Sequence, residues 1–155
     1  MKRTSVLILE NLRSVENTAS IFRTADGFKV SKIILIGTTP TPLDRFGRKR
    51  QDFAKVSLGA EETIDWEYKK EIGLVIDDLK EEKFLVIALE QTPNAKDLKS
   101  LAKPDKFAII MGNEVTGVSK EAIDASDIVA EIPMLGSKES LNVSVAAGVA
   151  LFVLS

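Results

Sequence analysis

The chain has 155 residues, 45% of them hydrophobic and 28% charged, with a formal net charge of −2 at pH 7. This is the balance of an ordinary globular protein, and it argues against indiscriminate coating of nucleic acid while allowing a local basic patch. Cysteine and histidine are both absent, which excludes zinc-thiolate sites, thiol nucleophiles and imidazole bases, so any chemistry must use other polar groups or a reactive cofactor.

The first residues show no targeting segment. Met1-Lys2-Arg3 leads into a short strand-like run and not into the apolar segment of a signal peptide. We therefore expect a cytoplasmic protein with no membrane association. The length predicts one domain over residues 1–155.

Apolar runs and helical patterns alternate along the chain. A helix is predicted near 18–26, with Asn17 as its N-cap and Gly27 as its stop, and another near Tyr68–Glu82. Continuous apolar runs separated by helical material predict an α/β fold, with a mostly parallel sheet covered by helices on both faces. The predicted strands are 5–9, 32–36, 84–89, 107–111 and 128–132.

The last quarter of the chain has the most distinctive pattern. Pro133 ends a strand, a polar loop follows, and Ser140-Leu141-Asn142 opens a helix that is apolar on almost every side. A helix of this kind must be covered on more than one side. We interpret it as packed on its own sheet and on a second copy of the chain, although a wholly intramolecular core helix fits the pattern equally well.

Two further segments carry polar residues in suggestive places. Gly112-Asn113-Glu114 and Gly117 follow a strand and precede a helix that starts near Ser119, so they form a potential ligand cradle. For Glu114 alone, a carboxylate at a helix entry is the simpler interpretation. Arg23 lies between apolar neighbours in the first helix, so its head is either solvated or placed in a cleft.

A basic segment follows the long loop that begins at residue 38. On pattern alone, such a run is usually a solvated face. A cluster of this kind can also pair with phosphates and give salt-sensitive binding. Its basic residues, set against Asp52 alone within this segment, are Arg45, Arg48, Lys49, Arg50 and Lys55.

Three segments resemble, in their order and spacing, the three motifs of the SpoU (TrmH) family of SPOUT RNA methyltransferases. They are the segment with Asn17 and Arg23, the segment Gly112-Asn113-Glu114, and Ile132-Pro133-Met134 followed by Ser140-Leu141-Asn142. The resemblance covers the chain from about Val6 to Leu154, and we expect no appended RNA-binding domain, which leaves substrate recognition to the shared core. It implies a homodimer that transfers the methyl group of S-adenosylmethionine to a ribose 2′-oxygen of tRNA or rRNA. It also implies a deep trefoil knot in the C-terminal part, which periodicity could not have indicated.

The resemblance also implies roles for single residues. Arg23 matches the catalytic arginine, Asn17 the asparagine that supports it, and Glu114, Ser140 and Asn142 the other polar positions of the active site. Arg23 and the basic segment would contact RNA. The cofactor pocket, which needs no metal, would be lined by Leu89, Gly112, Ile132, Met134 and Leu141.

Physical chemistry narrows the role of Arg23. A guanidinium with a pKa above roughly 12 is a poor general base. We therefore expect Arg23 to hold the phosphate and the hydroxyl, with Ser140, Asn142 or Glu114 relaying the proton. Two alternatives remain: methylation of a base nitrogen, or a catalytically silent RNA-binding protein on the same fold.

Overall fold

The computed structural model describes residues 3–155; Met1 and Lys2, which precede the first strand, lie outside the described residues. The strands are β1 (Thr4–Glu10), β2 (Lys32–Ile36), β3 (Asp65–Lys69), β4 (Leu85–Leu89), β5 (Lys96–Asp97), β6 (Lys106–Met111) and β7 (Ile128–Glu131). The helices are α1 (Val15–Gly27), α2 (Gln51–Ser57), α3 (Ala60–Thr63), α4 (Ile72–Glu81), α5 (Lys120–Ala125) and α6 (Val143–Leu154).

The strands form one sheet in the order β3-β2-β1-β6-β4-β7-β5, and every neighbouring pair is parallel. Side chains of β1 alternate between two apolar cores because successive residues point to opposite faces. Leu7 and Leu9 pack in the core that includes α1 and α6, whereas Val6 and Ile8 pack in the core that includes α4 and α5. The predicted α/β fold with helices on both faces is thereby confirmed.

The strand order also places the ends of the strands that matter for a site. From β1 the chain moves outward through β2 and β3, and it then returns to build the other half of the sheet, with β6 against β1. Because all strands run the same way, their carboxyl ends share one edge. Ligands of open α/β sheets bind at this edge, near the point where the direction of strand order changes.

Several predicted boundaries need correction. The helix predicted from Tyr68 begins at Ile72, because Tyr68 belongs to β3, an edge strand whose polar alternation hid it. The N-cap of α1 is Ser14, whose hydroxyl accepts from the N–H of Asn17 at 3.0 Å, and not Asn17 itself. The sequence also gave no sign of α2, α3 or the two-residue β5.

Nearly all side chains of helix α6 are apolar, but only one side of the helix is buried. One side is buried on the sheet core through Ala147, Ala150, Leu151 and Leu154. The opposite side leaves Val145 and Phe152 exposed, at 52% and 73%. Among residues 3–155, no helix has the length and apolar character needed to cross a bilayer.

Candidate active site

A cavity of about 430 Å³ opens at the carboxyl edge of the sheet. Its walls come from the ends of β4, β6 and β7 and from the start of α6, and its size falls in the range of roughly 300–1,000 Å³ typical of small-molecule sites. All five residues predicted to contact a cofactor line it: Leu89, Gly112, Ile132, Met134 and Leu141.

The loop after β6 forms one wall of the cavity, and two glycines shape it. Asn113 and Gly117 exchange backbone hydrogen bonds of 3.1 and 2.9 Å, which close the loop on itself. A Cβ on Gly112 would overlap the backbone of Gly117 and Val118, and Gly117 has φ +76°. Only glycine meets both demands without strain, so this wall is made of closely approaching backbone.

Two carboxylates from the neighbouring strands hold the exit of this loop. Glu90, directly after β4, accepts from the N–H of Val118 at 2.8 Å. Glu10, at the end of β1, accepts from the N–H and the hydroxyl of Ser119 at 2.8 and 2.6 Å. Because β6 lies between β1 and β4, each flanking strand contributes one anchor. The sequence analysis missed both; their only signal is a Glu that ends or follows an apolar strand.

Glu114 belongs to the same loop but serves the entry to α1. Its carboxylate accepts from the backbone N–H groups of Arg13 at 2.8 Å and Ser14 at 2.9 Å, and from the side-chain amide of Asn17 at 3.2 Å. Partial burial favours a higher pKa for Glu114, but these hydrogen bonds outweigh it and lower the pKa below its ordinary value. Glu114 is therefore ionised at neutral pH and is a weak proton acceptor.

Asn17 connects Glu114 to the last helix. Since Ser14 caps α1, the amide of Asn17 is free to donate to Glu114 and to accept from the side-chain N–H of Asn142 at 3.2 Å. Asn142 is the N-cap of α6, as predicted, and its Oδ1 accepts from the N–H of Ser144 at 2.8 Å. The structure thus joins all three motif segments at the cavity.

The other two residues predicted to be catalytic have different positions. Ser140 is exposed and lines the cavity two residues before Asn142. Arg23 is exposed on α1 and is not among the residues that line the cavity in the described chain. Six residues after Asn17 it is turned about 240° around the helix axis and lies about 9 Å further along it. Within one copy, Arg23 therefore stands apart from the other four.

The basic segment is more neutralised than its sequence indicates. Arg48 pairs with Asp44 at 3.0 Å, Arg50 with Asp52 at 2.8 Å, and Lys49 with Glu62. Asp44 and Glu62 lie outside the segment that was counted, which is why the excess of positive charge was overestimated. Within residues 3–155, Arg45 and Lys55 form no ion pair.

The described residues contain no group of three carboxylate, histidine or cysteine side chains that could hold a metal ion. The parallel sheet defines an α/β protein with a ligand-sized cavity at its carboxyl edge, beside glycine-rich backbone. A model of the SpoU rRNA Methylase family matches residues 4–152, and the chain belongs to this family.

Three known proteins illustrate the relationship. A protein of Staphylococcus aureus (strain COL) assigned to the TrmH family of tRNA/rRNA methyltransferases is 36% identical over 148 residues, which are 96% of this chain and 57% of that protein. The 23S rRNA (guanosine-2′-O-)-methyltransferase RlmB of Neisseria meningitidis is 32% identical over 94% of this chain and 56% of its own. The chain thus spans little more than half of these relatives.

The fold is shared with the SpoU methyltransferase AviRb from Streptomyces viridochromogenes, solved in complex with the cofactor AdoMet. The TM-score is 0.86 and the identity 20%, over 99% of this chain and 57% of that one.

Proposed function

We propose that residues 1–155 act as one domain that transfers a methyl group from S-adenosylmethionine to a ribose 2′-oxygen of tRNA or rRNA, in the cytoplasm. One observation carries this proposal: the hydrogen-bonded chain Glu114–Asn17–Asn142 at the cavity. These residues come from three separate motifs of a methyltransferase family, and folding brings them to one ligand-sized site. RlmB, a relative named for 2′-O-methylation of guanosine, supports the choice of the ribose.

The cavity suits an adenosine-containing cofactor. Leu89, Ile132 and Leu141 provide apolar walls for a flat base, and the glycine-shaped loop lets backbone groups approach the ligand closely. When bound, S-adenosylmethionine would supply a methyl group on a cationic sulfur, and the sulfur–methyl bond would break as the ribose 2′-oxygen forms the new C–O bond. The proton of the 2′-hydroxyl would pass to water through the hydroxyl of Ser140, which lines the cavity. The residues around it then need only to position the two reactants and to stabilise charge.

The polar residues divide this work. Glu114 fixes the entry of α1 through its backbone hydrogen bonds and positions Asn17, and its lowered pKa makes it a weak proton acceptor. Asn142 and Ser140 face the cavity at the start of α6, where they can bind the ribose hydroxyl. Arg23 would hold the neighbouring phosphate and stabilise charge that develops on the 2′-oxygen.

A homodimer would bring Arg23 to a cavity that it does not reach within its own copy. Val145, Val149 and Phe152 lie at helical spacing on the free side of α6 and form an apolar stripe. A Cβ on Gly148 would contact Thr24, next to Arg23, at 3.5 Å, so α1 and α6 present adjoining surfaces. We propose that a second copy covers this stripe, and that its Arg23 faces the first copy's cavity.

We also propose that the C-terminal part is threaded as a trefoil knot. The support is membership of the SpoU family. The order β6-β4-β7, in which the connection from β6 to β7 crosses β4, is compatible with this threading. The proposal is tested by comparing the refolding rates of the intact chain and of the chain cut by limited proteolysis. An intact chain that must thread a knot should refold more slowly than the cut chain, and equal rates would count against the knot.

The reaction is tested by incubating the protein with labelled S-adenosylmethionine and RNA and then digesting the product. Label in nuclease-resistant dinucleotides indicates a 2′-O-methyl group and supports the proposal. Label in modified bases would favour a base methyltransferase, whereas cofactor binding without transfer to any RNA would favour a silent RNA-binding protein. Comparing methylation maps of RNA from cells with and without the gene would then identify the nucleotide.

A further inference from the structure

An aromatic ring stands exposed at the tip of a hairpin, residues 42–50, which follows β2 and is closed by the bridge between Leu43 and Lys49. Phe46 is 66% exposed and belongs to neither apolar core of the described chain. A ring of this size in water is unfavourable by its area alone. The ring therefore offers a flat apolar surface on which another group can pack.

The backbone beneath Phe46 is fixed by one aspartate. Asp44 Oδ1 accepts from the N–H groups of Phe46 at 2.8 Å and Arg48 at 3.0 Å. The N–H of Asp44 donates to the carbonyl of Arg48 at 2.8 Å, and the N–H of Gly47 to the carbonyl of Asp44 at 3.0 Å. Phe46 is thus presented on a closed turn, so little conformational entropy would be lost when it binds.

Two guanidinium groups accompany the ring. Those of Arg45 and Arg48 lie 4.8 and 5.0 Å from its centroid. Asp44 holds Arg48 through a 3.0 Å ion pair, whereas Arg45 has no such partner among residues 3–155. Arg45 can therefore move off the ring without breaking an ion pair.

The hairpin lies at the same carboxyl edge of the sheet as the cavity. The base of this segment is tied to the end of β1 by the hydroxyl of Thr39, which donates to the carbonyl of Leu9 at 2.8 Å, and by the side chain of Asn11, which accepts from the N–H of Thr38 at 3.2 Å. The carbonyl of Asn11 in turn accepts from the side chain of Asn113, in the cavity loop, at 2.8 Å. An RNA strand at the cavity could extend toward the hairpin.

We infer that Phe46, with Arg45, is a stacking site for an unpaired nucleobase of the RNA. Unpaired RNA bases stack on aromatic rings and on guanidinium planes. Once the guanidinium of Arg45 leaves the ring, it can pair with the adjacent phosphate. The inference rests on the proposed RNA-modifying function, and it adds the class of RNA element that this face selects: a single strand or an open loop.

Fluorescence anisotropy with a labelled twelve-nucleotide adenosine RNA and with a twelve-base-pair duplex RNA tests the inference. We expect Phe46→Ala to weaken single-strand binding about 5- to 150-fold, the range of one lost stacked base. The slope of log affinity against log salt should stay unchanged in this variant. Phe46→Tyr should restore binding, and Arg45→Gln should reduce the magnitude of the slope on the single strand by about 0.7. Leu74→Ala, at an equally exposed apolar residue of α4, is the matched control, with no effect expected.

Other outcomes would overturn the inference. Unchanged RNA affinity of Phe46→Ala would leave the ring as a local cation–π contact, and equal losses on duplex and single strand would indicate a structural role. Dissociation of an oligomer by Phe46→Ala would assign the ring to a protein interface. The proposed function and the stacking site can fail independently. RNA binding that depends on Phe46, without methyl transfer, would refute only the reaction. Methyl transfer by both wild type and Phe46→Ala with equal KM for RNA would refute only the stacking site.

Discussion

The side-chain amide of Asn142 donates to the side-chain oxygen of Asn17 at 3.2 Å, across 125 residues of sequence. Asn142 begins α6 and Asn17 lies in the first turns of α1, so this bond fixes the ends of two packed helices beside the cavity. The Oδ1 of Asn142 meanwhile caps α6. The side-chain oxygen of Asn142 therefore stabilises the helix, whereas its side-chain nitrogen links α6 to Asn17 at the cavity. Substitutions can separate these two roles.

Asn142→Asp should retain stability and lose methyl transfer. Aspartate still caps the helix, but its oxygen would face the oxygen of Asn17 with no proton between them. Asn142→Ala should lose both properties, with about 1 kcal/mol of destabilisation from the missing cap. Urea unfolding and a methyl-transfer assay on the two variants measure the difference. Full activity in Asn142→Asp would show that the link to Asn17 is not needed.

The sequence allowed prediction of the features that depend on local pattern. The apolar runs located five strands of the sheet, and Ser119 and Asn142 were recognised as starts of α5 and α6 because capping uses only nearby atoms. Asn17 was wrongly taken as a cap because Ser14 is an equally good one three residues earlier. The amide of Asn17 instead donates to Glu114, almost 100 residues away, a contact that no local pattern indicates.

What could not be predicted depends on strand order. Glu10 and Glu90 become partners of one loop only because β6 lies between their strands, and strand order is not encoded in any local pattern. The ion pair between Lys49 and Glu62 likewise requires α3, a one-turn helix without its own periodic signal.

Gly112→Ala should destabilise the protein by about 3 kcal/mol and abolish cofactor binding. An added methyl group would overlap backbone atoms of Gly117 and Val118, which cannot move as a flexible side chain could. Gly136→Ala is the matched control, because a Cβ there meets open space, and it should change stability by less than about 0.5 kcal/mol. Thermal unfolding and calorimetric titration with S-adenosylhomocysteine report both effects. Normal binding by Gly112→Ala would remove this loop from the proposed cofactor site.

Stability at acid pH should depend on Glu114. Its pKa in the folded protein lies below the ordinary value of 4.5 because backbone N–H groups of Arg13 and Ser14 and the amide of Asn17 hydrogen-bond the ionised form, against the effect of burial. A group with a lowered folded-state pKa stabilises the protein above its unfolded-state pKa, and this contribution disappears as the pH falls through the folded-state value. Denaturant unfolding between pH 7 and pH 3 should therefore show a smaller loss of stability below pH 4.5 for Glu114→Gln than for wild type. Parallel curves would mean that Glu114 is not held as an anion.

Arg23 and Asn142 should complement each other between subunits. Arg23→Ala should leave cofactor affinity nearly unchanged and abolish transfer, because Arg23 lies outside the cavity of its own copy. If it acts on the partner's cavity, unfolding and refolding an equal mixture of Arg23→Ala and Asn142→Ala should restore about one intact site in four, since half of the random dimers are mixed and each mixed dimer has one intact site. Methyl transfer by the mixture, compared with each variant refolded alone, measures this directly. An inactive mixture that forms normal dimers by light scattering would mean that Arg23 does not act across the interface.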